Sequence, residues 1–440
     1  MEFNMIEEYN KIIKWIALQP LLGGLYFSVE NAVGHPAECI ISFHGNDKAK
    51  LKNGKVISAH NEYHLLQYLK EHNRLVPYYK FDKDPFQSDY KNLNVKILEG
   101  KDKQVQPDYN NIDLVVALPV CSGLSNSTIA SSKDALMSKN YNMLFLANYT
   151  LNIIKPKVYI FENAPTLLAD KGKRIRDELE SIARDNNYSV AYYKTNTILH
   201  DNCQNRPRTF IYFFKRNNNV KGVPELQFEN KRISVEELLN RIPRNNNDTM
   251  NVTLKLKPVR QALYDYLINN EGDSFRKILT SAHVLDVLYR DNKLRDFEKY
   301  IVNSSQYSES FKKRISDYIN IIYNKRSQNK NFWHEELNVI KDDIMPACMH
   351  RTMESVLHYK ENRLYTLREW LTTMGMPFDF KLYGDILKVY KQIGQNVPVR
   401  TAKFIIDEAL RVINNDNVKY INNSNVVVFD NIKQSINVLN

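Results

Sequence analysis

Asp113-Leu-Val-Val-Ala-Leu-Pro119-Val120-Cys121-Ser122-Gly123-Leu-Ser125 is the stretch on which the fold turns. The apolar run here reads as a strand, and it leads straight into a turn that presents one cysteine. That is how a nucleophile is displayed at the end of a sheet strand. A cysteine in this setting, taken alone, is usually a small buried hydrophobe. Two later segments add to it: Tyr159-Ile-Phe161-Glu162-Asn163-Ala164, and Gln204-Asn205-Arg206-Pro207-Arg208-Thr-Phe210-Ile-Tyr-Phe-Phe. Alone, Glu162 reads equally as a surface carboxylate ending a strand. Arg206 and Arg208, alternating at period two, say only that one face of a strand edge is basic.

Outward from Cys121, the first half of the chain alternates strand-like and helix-like runs, as a parallel sheet with crossover helices does. The predicted strands are 38–43, 55–59, 76–81, 113–118, 158–161, 189–193 and 209–214. Helical periodicity falls between them at 63–72, 144–154 and 172–186, the last with Ile175, Leu179 and Ile182 at i, i+4 and i+7. Lys155-Pro156 closes the second helix, because proline disfavours helix in the residue before it. The pattern predicts a doubly wound, mostly parallel α/β sheet. It stops around Asn217-Asn218-Asn219, so a boundary is expected near 216, with largely helical chain to about 355 that includes 260–269, 274–289 and 309–323.

At 440 residues the chain has room for two domains, about 150 residues each being the soft guide. Its 43% hydrophobic and 25% charged content is that of a folded soluble protein, and no apolar run reaches the roughly 18 residues of a membrane span. The acidic start Met1-Glu-Phe-Asn-Met-Ile-Glu-Glu lacks the pattern of a secretory signal, which predicts a cytoplasmic protein. Cys39, Cys121, Cys203 and Cys348 are scattered without paired spacing, so neither a disulfide frame nor a bound metal is expected. The formal charge of +11 favours a polyanionic partner. Its local concentrations, Phe311-Lys-Lys-Arg314 and Asn324-Lys-Arg-Ser-Gln-Asn-Lys330-Asn-Phe-Trp333, read either as phosphate contacts or as solvated helix faces.

In order and spacing, the three segments around Cys121, Glu162 and Arg208 resemble a cytosine-C5 DNA methyltransferase. The resemblance reaches both ends of the chain. Leu21-Leu22-Gly23-Gly24-Leu25, followed by Val29-Glu30-Asn-Ala32, looks like the family's first motif, the cofactor loop. Arg363-Leu-Tyr-Thr366-Leu-Arg368-Glu369, running on to Pro377-Phe-Asp379, and Ile393-Gly394-Gln395-Asn396-Val397-Pro398-Val399 look like its last two. The resemblance implies a Rossmann-like methyltransferase that uses S-adenosylmethionine on double-stranded DNA, as a monomer, without a metal. It gives residues 1–215, completed by 385–440, to catalysis and cofactor binding, and 216–384 to target recognition.

Residue by residue, the resemblance makes Cys121 the nucleophile toward carbon 6 of a flipped cytosine and Glu162 the holder of the ring N3 proton. Arg208, with Arg206, would bind the base carbonyl and a phosphate. Leu22, Gly23, Gly24, Leu25, Pro119, Gln395, Asn396 and Val397 would line the cofactor. Glu62, or His60 and Asn61 beside it, would take the ribose, and Asp82 the adenine amino group. The sequence departs from the family where Val120 and Ser122 flank the cysteine, where Pro119 is displaced by one, and where Gly394-Gln395 stands for a Gly-Asn pair. Gln19 and Pro20 also stand where aromatic and small residues are usual. These departures suit a divergent phage or mobile-element type. A relative that kept DNA affinity but lost turnover, and one acting on RNA, are the alternatives.

Overall fold

The buried apolar runs assemble into one nine-stranded sheet. The computed structural model describes residues 12–43, 48–50, 56–58, 62–81, 95–97, 107–119, 124, 133–216, 222–245, 247–280, 284–330, 337–340, 343–421 and 424–432. The sheet strands, in chain order, are β1 (Trp15–Leu18), β2 (Cys39–Phe43), β3 (Tyr78–Phe81), β4 (Val95–Ile97), β5 (Leu114–Ala117), β6 (Val158–Asn163), β7 (Tyr188–Asn196), β8 (Pro207–Lys215) and β9 (Val426–Asp430). Their order across the sheet is β9-β7-β8-β6-β5-β1-β2-β3-β4. β8 runs antiparallel to both its neighbours and β4 antiparallel to β3, while the other pairings are parallel. This is the doubly wound, mostly parallel sheet that the alternation predicted.

Helices flank the sheet. Those of this unit are α1 (Gly24–Val33), α2 (Tyr63–Glu71), α3 (Lys133–Tyr149) and α4 (Lys173–Asp185). Of these, α2 and α4 each bury one apolar stripe. In α4, Ile175, Leu179 and Ala183 are buried at i, i+4 and i+8. They join a core that includes Tyr159, Phe161, Tyr192 and Phe213 from the strands. β5 is buried at every position, which is why its sequence reads as an unbroken apolar run.

The sequence reading differs from the structure at several elements. Trp15–Leu18, which no sequence pattern marks as a strand, is central, pairing in register with β2 on one side and β5 on the other. Its apolar run of four residues carries no periodicity that separates strand from helix. The strand expected at 55–59 is Val56–Ser58, paired with Lys48–Lys50 in a separate hairpin. The helix expected at 274–289 is broken into Phe275–Leu279 and Val284–Arg290.

The chain forms two compact units, the first comprising residues 1–233, 373–384 and 395–440, the second 234–372 and 385–394. A boundary was expected near 216, whereas the first unit continues to 233, because Val223–Pro224 pairs with Tyr420–Ile421 and Lys231–Arg232 pairs with His200–Asn202. The second unit is largely helical, around α5 (Pro258–Glu271), α6 (Leu294–Asn303) and α7 (Glu309–Ser327). Leu294, Phe297 and Ile301 of α6 and Ile315, Ile319 and Ile322 of α7 are buried at i, i+3/i+4, i+7 spacing, so each helix buries one stripe. Thr366 and Glu369 form a reciprocal cap: the Glu369 amide donates to Thr366 Oγ1 at 3.1 Å and the Thr366 amide to Glu369 Oε2 at 2.7 Å. Arg363 grips the same carboxylate with two hydrogen bonds of 2.8 Å. In the first unit the last long helix, α8 (Val399–Asn414), packs against α1. No helix among the described residues is long and apolar enough to cross a membrane.

Candidate active site

From β1 the chain winds outward through β2 to β3, and from β5 it winds the other way to β6. The crevice outside the carboxyl ends of β1 and β5 is therefore a topological switch point, where open α/β sheets bind ligands. The loop after β1, with Leu22-Gly23-Gly24-Leu25, and the segment after β5, with Pro119 and Cys121, both start there. The Leu118 amide donates to Leu18 O at 3.2 Å and the Gln19 amide to Ile41 O at 2.9 Å, so the ends of β5, β1 and β2 are tied side by side.

The loop after β1 is sharply wound. Gln19 (φ 46°), Leu21 (φ 52°) and Gly23 (φ 100°) all lie in the left-handed region. For the two non-glycine residues that costs on the order of 1 kcal/mol each. Gly24 is required for a different reason: a Cβ there would stand 1.8 Å from the Val397 carbonyl oxygen and 2.8 Å from Asn396 Oδ1. The Gly24 amide donates to Asn396 Oδ1 at 2.9 Å, and the Ser28 hydroxyl lies 2.8 Å from both Gly24 O and Val399 O. The last motif thus caps the helix that follows the first. Leu22, Leu25, Asn396 and Val397 are buried, whereas Gln395 is exposed.

Glu62 is buried at the start of α2, and its Oε2 accepts a hydrogen bond from Tyr78 OH on β3 at 3.4 Å. Toward the other end of α2, Asp379 accepts from Tyr68 OH at 3.0 Å and lies 2.7 Å from His72 Nε2, while Phe380 packs edge-on against Phe27. Residues 373–384 are thereby fastened to α1 and α2. His60, Asn61 and Asp82 lie outside the described residues.

On the other side of the crevice, Glu162, next to last in β6, lies opposite Phe210 of β8. Its carboxylate forms an ion pair with Arg208 Nε, and the two side chains are 6% and 21% exposed. Cys121 lies outside the described residues, together with Val120, Ser122 and Gly123. Pro119 before it and Leu124 after it are both buried, and the Leu124 carbonyl accepts from the Thr166 hydroxyl. Thr166 sits in the tight turn Pro165–Leu168 after Glu162, which Arg176 holds through Ala169 O at 2.9 Å and through Leu167 O. Arg206 takes another direction: it is 2% exposed, and its Nη2 donates to the Asn396 carbonyl at 2.9 Å.

Residues 76–411 match the profile of the family described as C-5 cytosine-specific DNA methylase. The chain belongs to this family. It is 22% identical over 332 residues to the type II methyltransferase M.Bpa9945I of Bacillus paralicheniformis, covering 69% of this chain and 71% of that one. Over a shorter stretch of 102 residues it is 28% identical to the type II methyltransferase M1.HphI of Haemophilus parahaemolyticus, covering 21% of this chain and 27% of that one. Among solved structures, a methyltransferase of Entamoeba histolytica shares the fold at 15% identity and a TM-score of 0.52, covering 92% of this chain and 99% of that one.

Within this family fold, the structure brings Glu162 and Arg208 together on one side of the crevice and Gly23, Gly24, Asn396 and Val397 on the other. It sends Arg206 to the second group although period two puts it in phase with Arg208. Thr166 was missed by the sequence reading, and so was Asn196, whose Oδ1 accepts from the Arg206 amide at 2.9 Å. A threonine two residues after Asn163-Ala164 carries no local signal for such a role. Asn196 ends a strand and carries none either.

Proposed function

We propose that the protein transfers a methyl group to carbon 5 of a cytosine flipped out of a specific site in double-stranded DNA, with S-adenosylmethionine as donor. The observation that carries this reading is the Glu162–Arg208 ion pair near the end of β6, next in the sheet to β5, the strand that Cys121 follows in the sequence. A cytosine cannot be attacked inside the stacked duplex, so the base must enter the crevice extruded. Cys121 then adds to carbon 6 as a thiolate, forming an S–C6 bond and moving the ring electrons toward carbon 5. Glu162 holds the proton at N3, and Arg208 hydrogen-bonds the base carbonyl, so the charge that develops in the ring is neutralised where it appears. After methyl transfer a base takes the carbon 5 proton and the S–C6 bond breaks, returning the thiolate.

S-adenosylmethionine, when bound, supplies the electrophilic methyl group. The residues present fit it. Gly23 and Gly24 form a tight turn into α1, whose first amides lie beyond helical hydrogen bonding. Glu62 is a buried carboxylate suited to paired ribose hydroxyls, and Pro119 and Val397 are apolar walls. Leu22, Leu25 and Asn396 would shape the same loop.

The helical unit, residues 234–372 and 385–394, would read the target, since sequence recognition needs a surface for groove contacts. The type II methyltransferases among the relatives favour a restriction-modification role at one short site. Bisulfite sequencing of DNA from a host that expresses the protein tests the reading: protected cytosines should recur in one sequence context. Protection confined to host RNA would move the substrate to RNA. Protection in neither would mean that turnover has lapsed.

A further inference from the structure

The first motif, the last motif and Arg206, just before β8, are joined by one chain of buried hydrogen bonds. From it we infer that Arg206 is a positioning residue for the cofactor loop and does not contact the target base. This rests on the methyltransferase reading above. The Arg206 guanidinium donates to the Asn396 carbonyl at 2.9 Å, and the Asn396 side chain accepts from the Gly24 amide at 2.9 Å. Asn396 Nδ2 lies 3.1 Å from Met376 Sδ, so the amide is held at both ends. Asn396 is fully buried and Arg206 nearly so.

The backbone of Arg206 is fixed as firmly as its side chain. Its amide donates to Asn196 Oδ1 at 2.9 Å, and its carbonyl accepts from the Thr197 amide at 3.1 Å and the Thr197 hydroxyl at 3.0 Å. Turning this buried guanidinium toward a base would strip the Asn396 carbonyl of a partner in a dry site. Arg208 is the more open of the two and faces Glu162.

The consequence is a division of labour across two residues. Arg208 serves the base, while Arg206 sets the height of the Asn396 turn and, through it, the Gly24 amide that opens α1. The fit at Gly24 is tight, with the Val397 carbonyl on the spot a Cβ would occupy, so a small shift of residues 396–397 moves the cofactor loop with it.

The test uses Arg206→Lys, which keeps the charge but not the planar fork, with Asn396→Ala and the double variant. Three quantities are measured on the full chain: S-adenosylmethionine affinity by calorimetry without DNA, amide exchange of residues 24–28 without ligand, and affinity for a cytosine-containing duplex without cofactor. Each single variant should bind S-adenosylmethionine roughly tenfold more weakly, the loss expected for one helix-cap hydrogen bond. Each should also exchange faster at 24–28 and leave duplex affinity unchanged. The double variant should lose less than the sum of the two single losses, since both changes act on the same turn at residues 396–397. Duplex affinity lost in Arg206→Lys, with cofactor binding and exchange intact, would make Arg206 a ligand of base or phosphate and overturn the inference. If Arg206→Lys does not fold, Asn396→Ala decides: unchanged exchange at 24–28 overturns the relay. A wild-type protein that binds no S-adenosylmethionine would sink the methyltransferase reading, and the exchange arm would still decide whether the relay exists.

Discussion

Replacing Gly24 by alanine adds one methyl group where the structure has no room for it. The new Cβ would fall 1.8 Å from the Val397 carbonyl oxygen and 2.8 Å from Asn396 Oδ1. Both belong to a turn fixed by the Gly24 amide and the Ser28 hydroxyl. Backbone, unlike the end of a flexible side chain, cannot step aside cheaply, and overpacking of this kind costs about 1–3 kcal/mol. Moving residues 396–397 away also breaks the Asn396 cap on α1 and so leaves the buried Gly24 amide unmatched, at about 1–3 kcal/mol. Alanine regains about 1 kcal/mol of helix propensity over glycine. The net expectation is a loss of about 1–5 kcal/mol, felt in the first unit. Urea unfolding followed by tryptophan fluorescence, with Trp15 buried at the centre of the sheet, reads it as a lower midpoint. Cofactor affinity should fall in the same variant. A midpoint equal to or above that of the wild type would show that the first and last motifs do not approach each other as described, and the relay through Asn396 would fall with it.

Cys121→Ser should abolish methyl transfer while leaving duplex binding intact, because a hydroxyl lacks an accessible anion for the addition step; methylation within tenfold of wild type would refute the nucleophile. His200 is buried among Tyr193, Phe228 and Phe404, and burial pushes its pKa down from 6.5 to about 4. The unfolded chain therefore binds a proton that the folded one refuses, so this contribution is complete above about pH 6.5 and falls by about 3 kcal/mol as the pH drops to 4. His200→Gln should flatten that part of the stability profile measured by urea midpoints, and an unchanged slope would count against it. Neutralising Lys313 and Arg314 on α7 should weaken binding to all duplexes alike and lower its salt dependence, since phosphate contacts carry no sequence information. Exchanging residues 234–372 for those of a relative should change which site is methylated; a folded chimera that keeps the original site would place target recognition elsewhere.

The sequence by itself carried whatever is written in local periodicity. β5 and β6 are legible because a strand buried on both faces must be apolar throughout. The amphipathic stripe of α4 is legible at a spacing of four. Glu162, near the end of its strand, could be picked out with Arg208 because the family resemblance gave both a role. What the sequence could not supply was which of two equivalent arginines meets which partner. Arg206 and Arg208 share a residue type and a phase, and only the packing turns one to Glu162 and the other to Asn396. Nor does any local pattern announce that Gly24 and Asn396, 372 residues apart, share a hydrogen bond. Trp15–Leu18 shows the same limit, since four apolar residues become the middle of the sheet only through the strands that close on either side. Period and polarity are properties of neighbours along the chain, while the meeting of β1, β5, β8 and the last motif is settled by the order in which strands enter the sheet.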